Sequence, residues 1–339
     1  MNMNSDSKFM QRAYDRANFA RLIAPPNPWV GAVLVTLYGT SFEGHTQRPG
    51  QNHAEAQVLE HAGPQAKGAT LFVTLEPCCI DAKTPPCVNK IINSGISRVV
   101  IGVQDTDPRV SGRGMELLRE AGVEVTLGVL EDEITSQLKP YLYQRRTGLP
   151  FVIMKLAASL DGKIAAPDNT SKWITGPEAR QDVQNLRAQS DAILVGAKTV
   201  QIDDPGLRIL DINAPDGQAV REPLRCVLGK AKSESKVNPC LEYSGDITEM
   251  LKDLASKGVL QLMVEGGAGV AGGFFSEDLV DCYVFYYAPA IFASNSALPM
   301  FNGENTGTID SLRRGTIDSV VTLGSDIRVT YIPDRRGNN

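Results

Sequence analysis

Apolar runs of strand length alternate with stretches of helical periodicity along the whole chain, and that alternation points to an α/β fold with helices covering both faces of a sheet. Residues 6–23 place Phe9, Met10, Ala13, Ala17 and Ala20 at helical spacing, and Pro25-Pro26-Asn27-Pro28 breaks that helix. Val30 to Leu37 reads as a buried strand, His53 to His61 as a helix, and Ala69 to Leu75 as a second strand. A helix begins near Cys87, Arg98 to Val103 is a third strand, and a helix over 113–121 ends at Gly122, a residue suited to a helix C-terminus. Val123 to Leu127 is a strand and 131–146 a helix.

The chain of 339 residues exceeds one ordinary domain. Thr147-Gly148-Leu149-Pro150 interrupts the pattern, so the predicted domains are 1–147 and 148–339. A fresh strand, Phe151 to Leu156, opens the second. Further strands are expected near 191–195, 224–228, 260–264, 281–287 and 326–332, with helices near 177–189, 247–257 and 270–276. The polar stretch 211–245 reads as loops.

Charge and composition exclude some partners. A net charge of −5 argues against a nucleic-acid-coating surface, which needs a clustered basic patch. No apolar run approaches the roughly 20 residues that span a bilayer. The polar start, Met1 to Asp6, lacks a secretory pattern, so a cytoplasmic protein with no membrane and no nucleic-acid partner is expected.

Three of the six cysteines, Cys78, Cys79 and Cys87, crowd into ten residues, which in a reducing compartment suggests a metal before a disulfide. His53-Ala54-Glu55 precedes them, and Pro77-Cys78 completes a His-x-Glu then Pro-Cys signature. One imidazole and two thiolates give zinc three ligands and leave a position for water, whose pKa the ion lowers towards neutrality. Glu55 then has the place and the chemistry to shuttle protons to a departing amine. A structural zinc would want a fourth protein ligand; Cys79 is the nearest, but adjacent cysteines seldom point the same way, and an inert buried thiol is expected there. His45 and His61 read as surface or packing residues.

In the second half, Glu265-Gly266-Gly267-Ala268-Gly269 follows an apolar strand and opens a helix, a junction that suits a nucleotide phosphate. It lacks the ribose-binding acid of a Rossmann fingerprint, and a glycine-rich junction without ligand gives the same pattern. Ser159, Asp161 and Gly162 suit a turn, Asp203-Asp204-Pro205 a cap or loop with an acidic metal site as the lesser alternative, and Trp173 either a core or a ring stack.

The stretches PNPWVGAVLV, HAEAQVL, TLEPC, KTPPC and QDTDPRVSGRG in the first half resemble the deaminase domain of the bifunctional riboflavin-biosynthesis deaminase–reductase family. KLAASLDGKIA, WITGPEARQDVQNLRAQSDAILVG, TVQIDDP and VEGGAGVAGGF resemble its reductase domain, in family order over about residues 8–332. The resemblance implies a cytidine-deaminase-like three-layer domain followed by a dihydrofolate-reductase-like domain. It implies zinc on His53, Cys78 and Cys87, Glu55 as proton shuttle, and substrate near Asn27, Lys83 and Asp105. In the reductase half it implies NADPH near Ala157, Trp173, Thr199, Asp203 and Gly267, Ala268, Gly269, Val270, Ala271, Gly272 and Gly273. Substrate is implied near Lys155, Ser171, Arg187, Leu207 and Glu265, with Arg187 suited to a phosphate and Glu265 to sugar hydroxyls.

The implied reactions are hydrolytic deamination of 2,5-diamino-6-ribosylamino-4(3H)-pyrimidinone 5′-phosphate and NADPH reduction of the ribosyl group of 5-amino-6-(5-phosphoribosylamino)uracil to ribityl. A homodimer through the second domain is implied too. The alternative is a deaminase whose second domain only binds a nucleotide or mediates dimerisation. The chain departs from the family pattern at Thr46 and Ile80, where histidines are usual, at Leu210, where an arginine is usual, and at Gly229-Lys230.

Overall fold

A computed structural model describes residues 3–80, 85–214, 216–303 and 307–334. Two compact units divide the chain: Met1–Leu149 with Asn213–Arg221, and Pro150–Ile212 with Glu222–Asn339. No sequence pattern marks 213–221 as belonging to the first unit.

The first unit opens with α1 (Met3–Ala20), followed by β1 (Gly31–Val35), β2 (Ser41–His45), α2 (Ala54–Ala62) and β3 (Thr70–Leu75). It continues with α3 (Cys87–Asn93), β4 (Arg98–Val103), α4 (Arg113–Glu120), β5 (Glu124–Leu127), α5 (Glu131–Gln137) and α6 (Lys139–Thr147). The strands form one sheet in the order β2-β1-β3-β4-β5, with β1 antiparallel to both neighbours and β3, β4 and β5 parallel.

Two glycines show why this is a three-layer unit. A Cβ on Gly31 would lie 1.8 Å from the Ala13 carbonyl oxygen of α1. A Cβ on Gly44, which pairs with Ala32, would lie 3.0 Å from the Ala54 carbonyl oxygen of α2. Consecutive strand residues point to opposite faces, so α1 and α2 cover β1 from opposite sides. Met10, Ala13, Ala17 and Ala20 of α1 are fully buried, as their helical spacing predicts.

The strand expected over Val30 to Leu37 ends at Val35, because Thr36 to Thr40 forms a tight turn with Gly39 at φ +83. The turn returns the chain as β2, a polar strand without an apolar pattern. The single helix expected over 131–146 is two, α5 and α6, because Pro140 has no amide to continue the first.

The second unit contains β6 (Phe151–Ser159), β7 (Lys163–Ala165), α7 (Pro177–Ala188), β8 (Ala192–Gly196), α8 (Ala197–Asp203), β9 (Leu224–Leu228) and β10 (Leu241–Tyr243). Then come α9 (Ile247–Ser256), β11 (Gln261–Val264), α10 (Ala268–Ser276), β12 (Cys282–Ala288), β13 (Leu298–Pro299), β14 (Gly315–Leu323) and β15 (Asp326–Pro333). Eight strands form one sheet in the order β10-β9-β8-β11-β6-β12-β15-β14, parallel from β10 to β12 and finished by an antiparallel hairpin. The strand expected near 224–228 is β9, and the stretch 211–245, otherwise expected to be loops, also contributes β10. No described helix is long and apolar enough to cross a membrane.

Candidate active sites

The first site collects where two helices begin. His53 is the N-cap of α2, with extended backbone at φ −71 and ψ 164, which turns its ring off the helix. Cys78 follows β3 across Glu76-Pro77, and Cys87 is the first residue of α3. His53 Nδ1 stands 3.6 Å from Cys78 Sγ and 3.4 Å from Cys87 Sγ. The three ligand atoms lie within 4.8 Å of one another. Tetrahedral bonds of about 2.0–2.1 Å to nitrogen and 2.3 Å to sulfur set nitrogen and sulfur about 3.6 Å apart, so the donor spacing fits zinc. Three protein donors leave the fourth position for water.

Electrostatics support the same assignment. The Cys87 amide donates to Cys78 Sγ at 3.4 Å. The Cys78 thiol is pushed down to about 4, first by the Cys87 side chain and then by His53. Burial raises the pKa of Glu55, only 4% exposed on the first turn of α2.

Cys79 is not the buried thiol expected: it is half-exposed, its Sγ pointing at the Arg109 carbonyl 3.8 Å away. It does not join the metal cluster. Thr46 is buried, its hydroxyl accepting the Val30 amide at 3.2 Å.

Asn27 is half-exposed in the turn before β1. Lys83 lies outside the described residues. Asp105 is buried, and one carboxylate oxygen accepts the Asp107 amide while the other accepts the Tyr141 hydroxyl. Its carboxyl is therefore engaged within the fold, and burial pushes it up to about 6.

Sequence reasoning passed over Glu76. It is 3% exposed and accepts four backbone amides, those of Asp105, Gly112, Gly114 and Met115. The available signal was a carboxylate placed between an apolar strand and Pro77-Cys78, with Gly112 and Gly114 downstream.

The second unit holds a cavity of about 760 Å³ beside β6, the β8–α8 junction and the β11–α10 junction. Such a position, at the carboxyl ends of parallel strands, is where open α/β sheets bind ligands. Lys155, Ala157, Ser171, Trp173, Thr199, Asp203, Leu207, Arg187, Glu265 and Gly267 all line it. Arg187 and Glu265, expected to meet separate parts of a substrate, pair with each other. Trp173 is 71% exposed, with the Arg180 guanidinium 4.9 Å from its ring centroid. The Ser171 hydroxyl donates to Asp203 at 3.4 Å.

The run Ala268, Gly269, Val270, Ala271, Gly272 and Gly273 does not line the cavity; it forms α10. Ala268 and Ala271 are buried, and a Cβ on Gly272 would lie 1.9 Å from the Asn302 carbonyl oxygen, so part of this glycine run serves close packing. Gly229 has a similar cause: φ is +109, and a Cβ would meet that of Ala197 at 2.7 Å. Leu210 lines the cavity with its side chain exposed.

Fold and sites define a two-part enzyme, a zinc-type deaminase unit followed by an α/β reductase unit. Residues 3–103 match the cytidine and deoxycytidylate deaminase zinc-binding region, and residues 150–329 the RibD C-terminal domain. The chain is 35% identical to riboflavin biosynthesis protein RibD of Haemophilus influenzae, over 97% of this chain and 98% of the relative. It is 36% identical to RibD of Escherichia coli, over 86% of this chain and 89% of the relative. The solved structure of Acinetobacter baumannii RibD superposes with a TM-score of 0.92 at 33% identity, covering 98% of this chain and 99% of that one. A diaminohydroxyphosphoribosylaminopyrimidine deaminase/5-amino-6-(5-phosphoribosylamino)uracil reductase from Thermotoga maritima gives 0.86 at 33% identity, covering 98% and 99%.

The chain belongs to the RibD family, the bifunctional deaminase–reductases of riboflavin biosynthesis. Zinc serves its deaminase half and NADPH its reductase half, and its substrates are small pyrimidine phosphates.

Proposed function

We propose that residues 1–147 hydrolyse the 2-amino group of 2,5-diamino-6-ribosylamino-4(3H)-pyrimidinone 5′-phosphate, and that residues 148–339 reduce the ribosyl group of the product to ribityl with NADPH. The reading rests on one observation above the others. His53 Nδ1 faces two cysteine sulfurs at 3.4 and 3.6 Å, with a buried carboxyl, Glu55, two residues on from His53 in the first turn of α2.

His53, Cys78 and Cys87 would hold the metal. Zinc bound there supplies a water acidic enough to act as nucleophile near neutral pH. Glu55 has a raised proton affinity and no exposure to dissipate it, so it takes up a proton early in the reaction and releases it to the departing amine later. Water is consumed, ammonia leaves, and the ring carbon becomes a carbonyl. Asn27, Lys83 and Asp105 are assigned to the pyrimidine side, Asp105 by shaping the wall through its bonds to Asp107 and Tyr141.

In the second unit Ala157, Trp173, Thr199, Asp203 and Gly267, all on the cavity wall, are assigned to NADPH. Lys155, Ser171, Arg187, Leu207 and Glu265 are assigned to the sugar phosphate. NADPH supplies the hydride, and the cavity's work is to hold the ring against the opened ribose. Burial lowers the pKa of Lys155 beside Glu265, which favours a group that shares its proton.

We place the enzyme in the cytoplasm as a homodimer joined through the second unit's sheet. Phe285 and Tyr287 of β12, Ile327 and Val329 of β15, and Ile317 and Val320 of β14 share one face by register. Ile317 and Val320 are 61% and 59% exposed, a contiguous apolar surface of the kind that marks interfaces. Sedimentation of wild type and Val320→Lys separates dimer from monomer.

The enzymatic reading is tested by product mass after incubating zinc-loaded protein with the diaminopyrimidine ribosyl phosphate and NADPH. Deamination adds about one mass unit and reduction about two. Both gains together support the assignment. A deamination product alone leaves the second unit as a binding module, and no change with zinc in place removes the substrate assignment.

A further inference from the structure

Glu76 has no role in the chemistry above, yet it is the most heavily bonded carboxylate near the zinc donors. It leaves the end of β3, where its own amide donates to the Val103 carbonyl at 3.0 Å. One carboxylate oxygen accepts Asp105 N at 3.2 Å and Gly112 N at 2.9 Å. The other accepts Gly114 N at 2.9 Å and Met115 N at 3.3 Å. These donors span the loop after β4 and the first turn of α4, so one side chain closes the loop onto its helix.

The fit is close on the other side as well. A Cβ on Gly114 would stand 2.4 Å from the Pro77 carbonyl oxygen and 3.1 Å from Glu76 Oε1, so α4 rests directly on the peptide that precedes Cys78. Cys78 in turn is tied to α3: its carbonyl accepts Val88 N at 3.2 Å and its sulfur accepts Cys87 N at 3.4 Å. The turn Glu76-Pro77-Cys78 is thus held between two helix starts. The Glu76 carboxylate ties that turn both to the first turn of α4 and to the loop that carries Asp105.

We propose that Glu76 is a positioning residue for the zinc site, fixing Cys78 against His53 and Cys87 and coupling metal binding to the order of the loop over 105–112. The inference rests on the zinc reading given above. It follows from donor counting: a carboxylate presents acceptors to all four amides, whereas a glutamine turns an NH2 group against two of them and breaks the cradle. Groups that support metal ligands typically alter affinity by 10–100-fold when changed.

The test uses the full chain. Wild type and Glu76→Gln are stripped of metal and titrated with cobalt against a chelator, reading the thiolate-to-cobalt charge-transfer band. Amide exchange of wild type is measured with and without zinc. Expected are a weakening of cobalt binding by about 10–100-fold in folded E76Q, and slower exchange at Asp105, Gly112, Gly114 and Met115 when zinc is bound to wild type. Folded E76Q with wild-type affinity and an unchanged band overturns the proposal. If E76Q does not fold, wild-type exchange decides, and equal protection of those amides with and without zinc overturns it. Wild type that takes up no cobalt removes the zinc reading itself, and this inference with it.

Discussion

Arg187 and Glu265 hold each other through two hydrogen bonds on the wall of the reductase cavity, Nε to Oε1 at 2.6 Å and Nη2 to Oε2 at 2.8 Å. Their side chains are 17% and 10% exposed. The pair fixes the guanidinium plane before any substrate arrives, and Nη1 reaches the Arg208 carbonyl at 3.4 Å. Arg187→Ala strands a carboxylate in a largely buried site, which costs about 3 kcal/mol or more when a buried pair is broken. Reduction is expected to fall by at least about 100-fold, the equivalent of about 2.7 kcal/mol, while deamination by the same preparation stays within about 2-fold, since both residues belong to the second unit. Parallel assays of both steps on one sample check this.

Glu55→Gln keeps the shape of the side chain and removes the proton carrier. Deamination is expected to drop by about 10²–10⁴-fold, with zinc content unchanged by metal analysis because Glu55 is not in the ligand set. Loss of zinc in the variant would reassign Glu55 to holding the metal.

Removing zinc with a chelator is expected to abolish deamination and, when 5-amino-6-(5-phosphoribosylamino)uracil is supplied directly, to leave NADPH oxidation intact, because the donors belong to the first unit and the cavity to the second. Zinc added back restores the first activity.

Asp105 makes stability depend on pH. Burial raises its folded pKa to about 6 from 3.8, so the folded state is the better proton binder. The favourable term is complete below about pH 4 and is lost as pH rises through about 6. Asp105→Asn, which cannot ionise, is therefore expected to gain stability relative to wild type between pH 4 and 7, by up to about 3 kcal/mol. Thermal melts across that range check the sign: a Tm difference that is flat with pH rejects it.

Gly31→Ala is expected to destabilise the first unit by about 3 kcal/mol or more, beyond ordinary overpacking. The added methyl would meet backbone, the Ala13 carbonyl oxygen at 1.8 Å, which no rotamer can relieve. Denaturant midpoints of the variant measure the cost.

The zinc donors were legible because their spacing is a chemical demand: a metal needs its ligand types wherever the loops run, and His53, Cys78 and Cys87 converge as read. Strands with unbroken apolar runs were legible because burial on both faces demands them, as residues 99–103 and Ala192–Gly196 illustrate. Strand β2 was not, because Ser41–His45 carries no apolar alternation and is held by pairing with β1. The Arg187–Glu265 pair was also invisible, being 78 residues apart in sequence. Glu76 was hidden differently. Its partners are backbone amides, which leave no mark in side-chain identity except the glycines at 112 and 114.

The strand order of the second unit carries a consequence for synthesis. Strand β6 is the first of that sheet to be made, yet both its neighbours come late: Phe151 pairs with Gln261, and Ile153 with Cys282. At about 5–20 residues per second on the ribosome, β6 waits on the order of ten seconds for its first partner. In the first unit β1 pairs with β2 and β3 within the first 75 residues. The deaminase sheet therefore has its strands available early, while an apolar β6 depends on delayed pairing. Expression temperature and chaperone supply should accordingly govern the yield of reductase more strongly than that of deaminase.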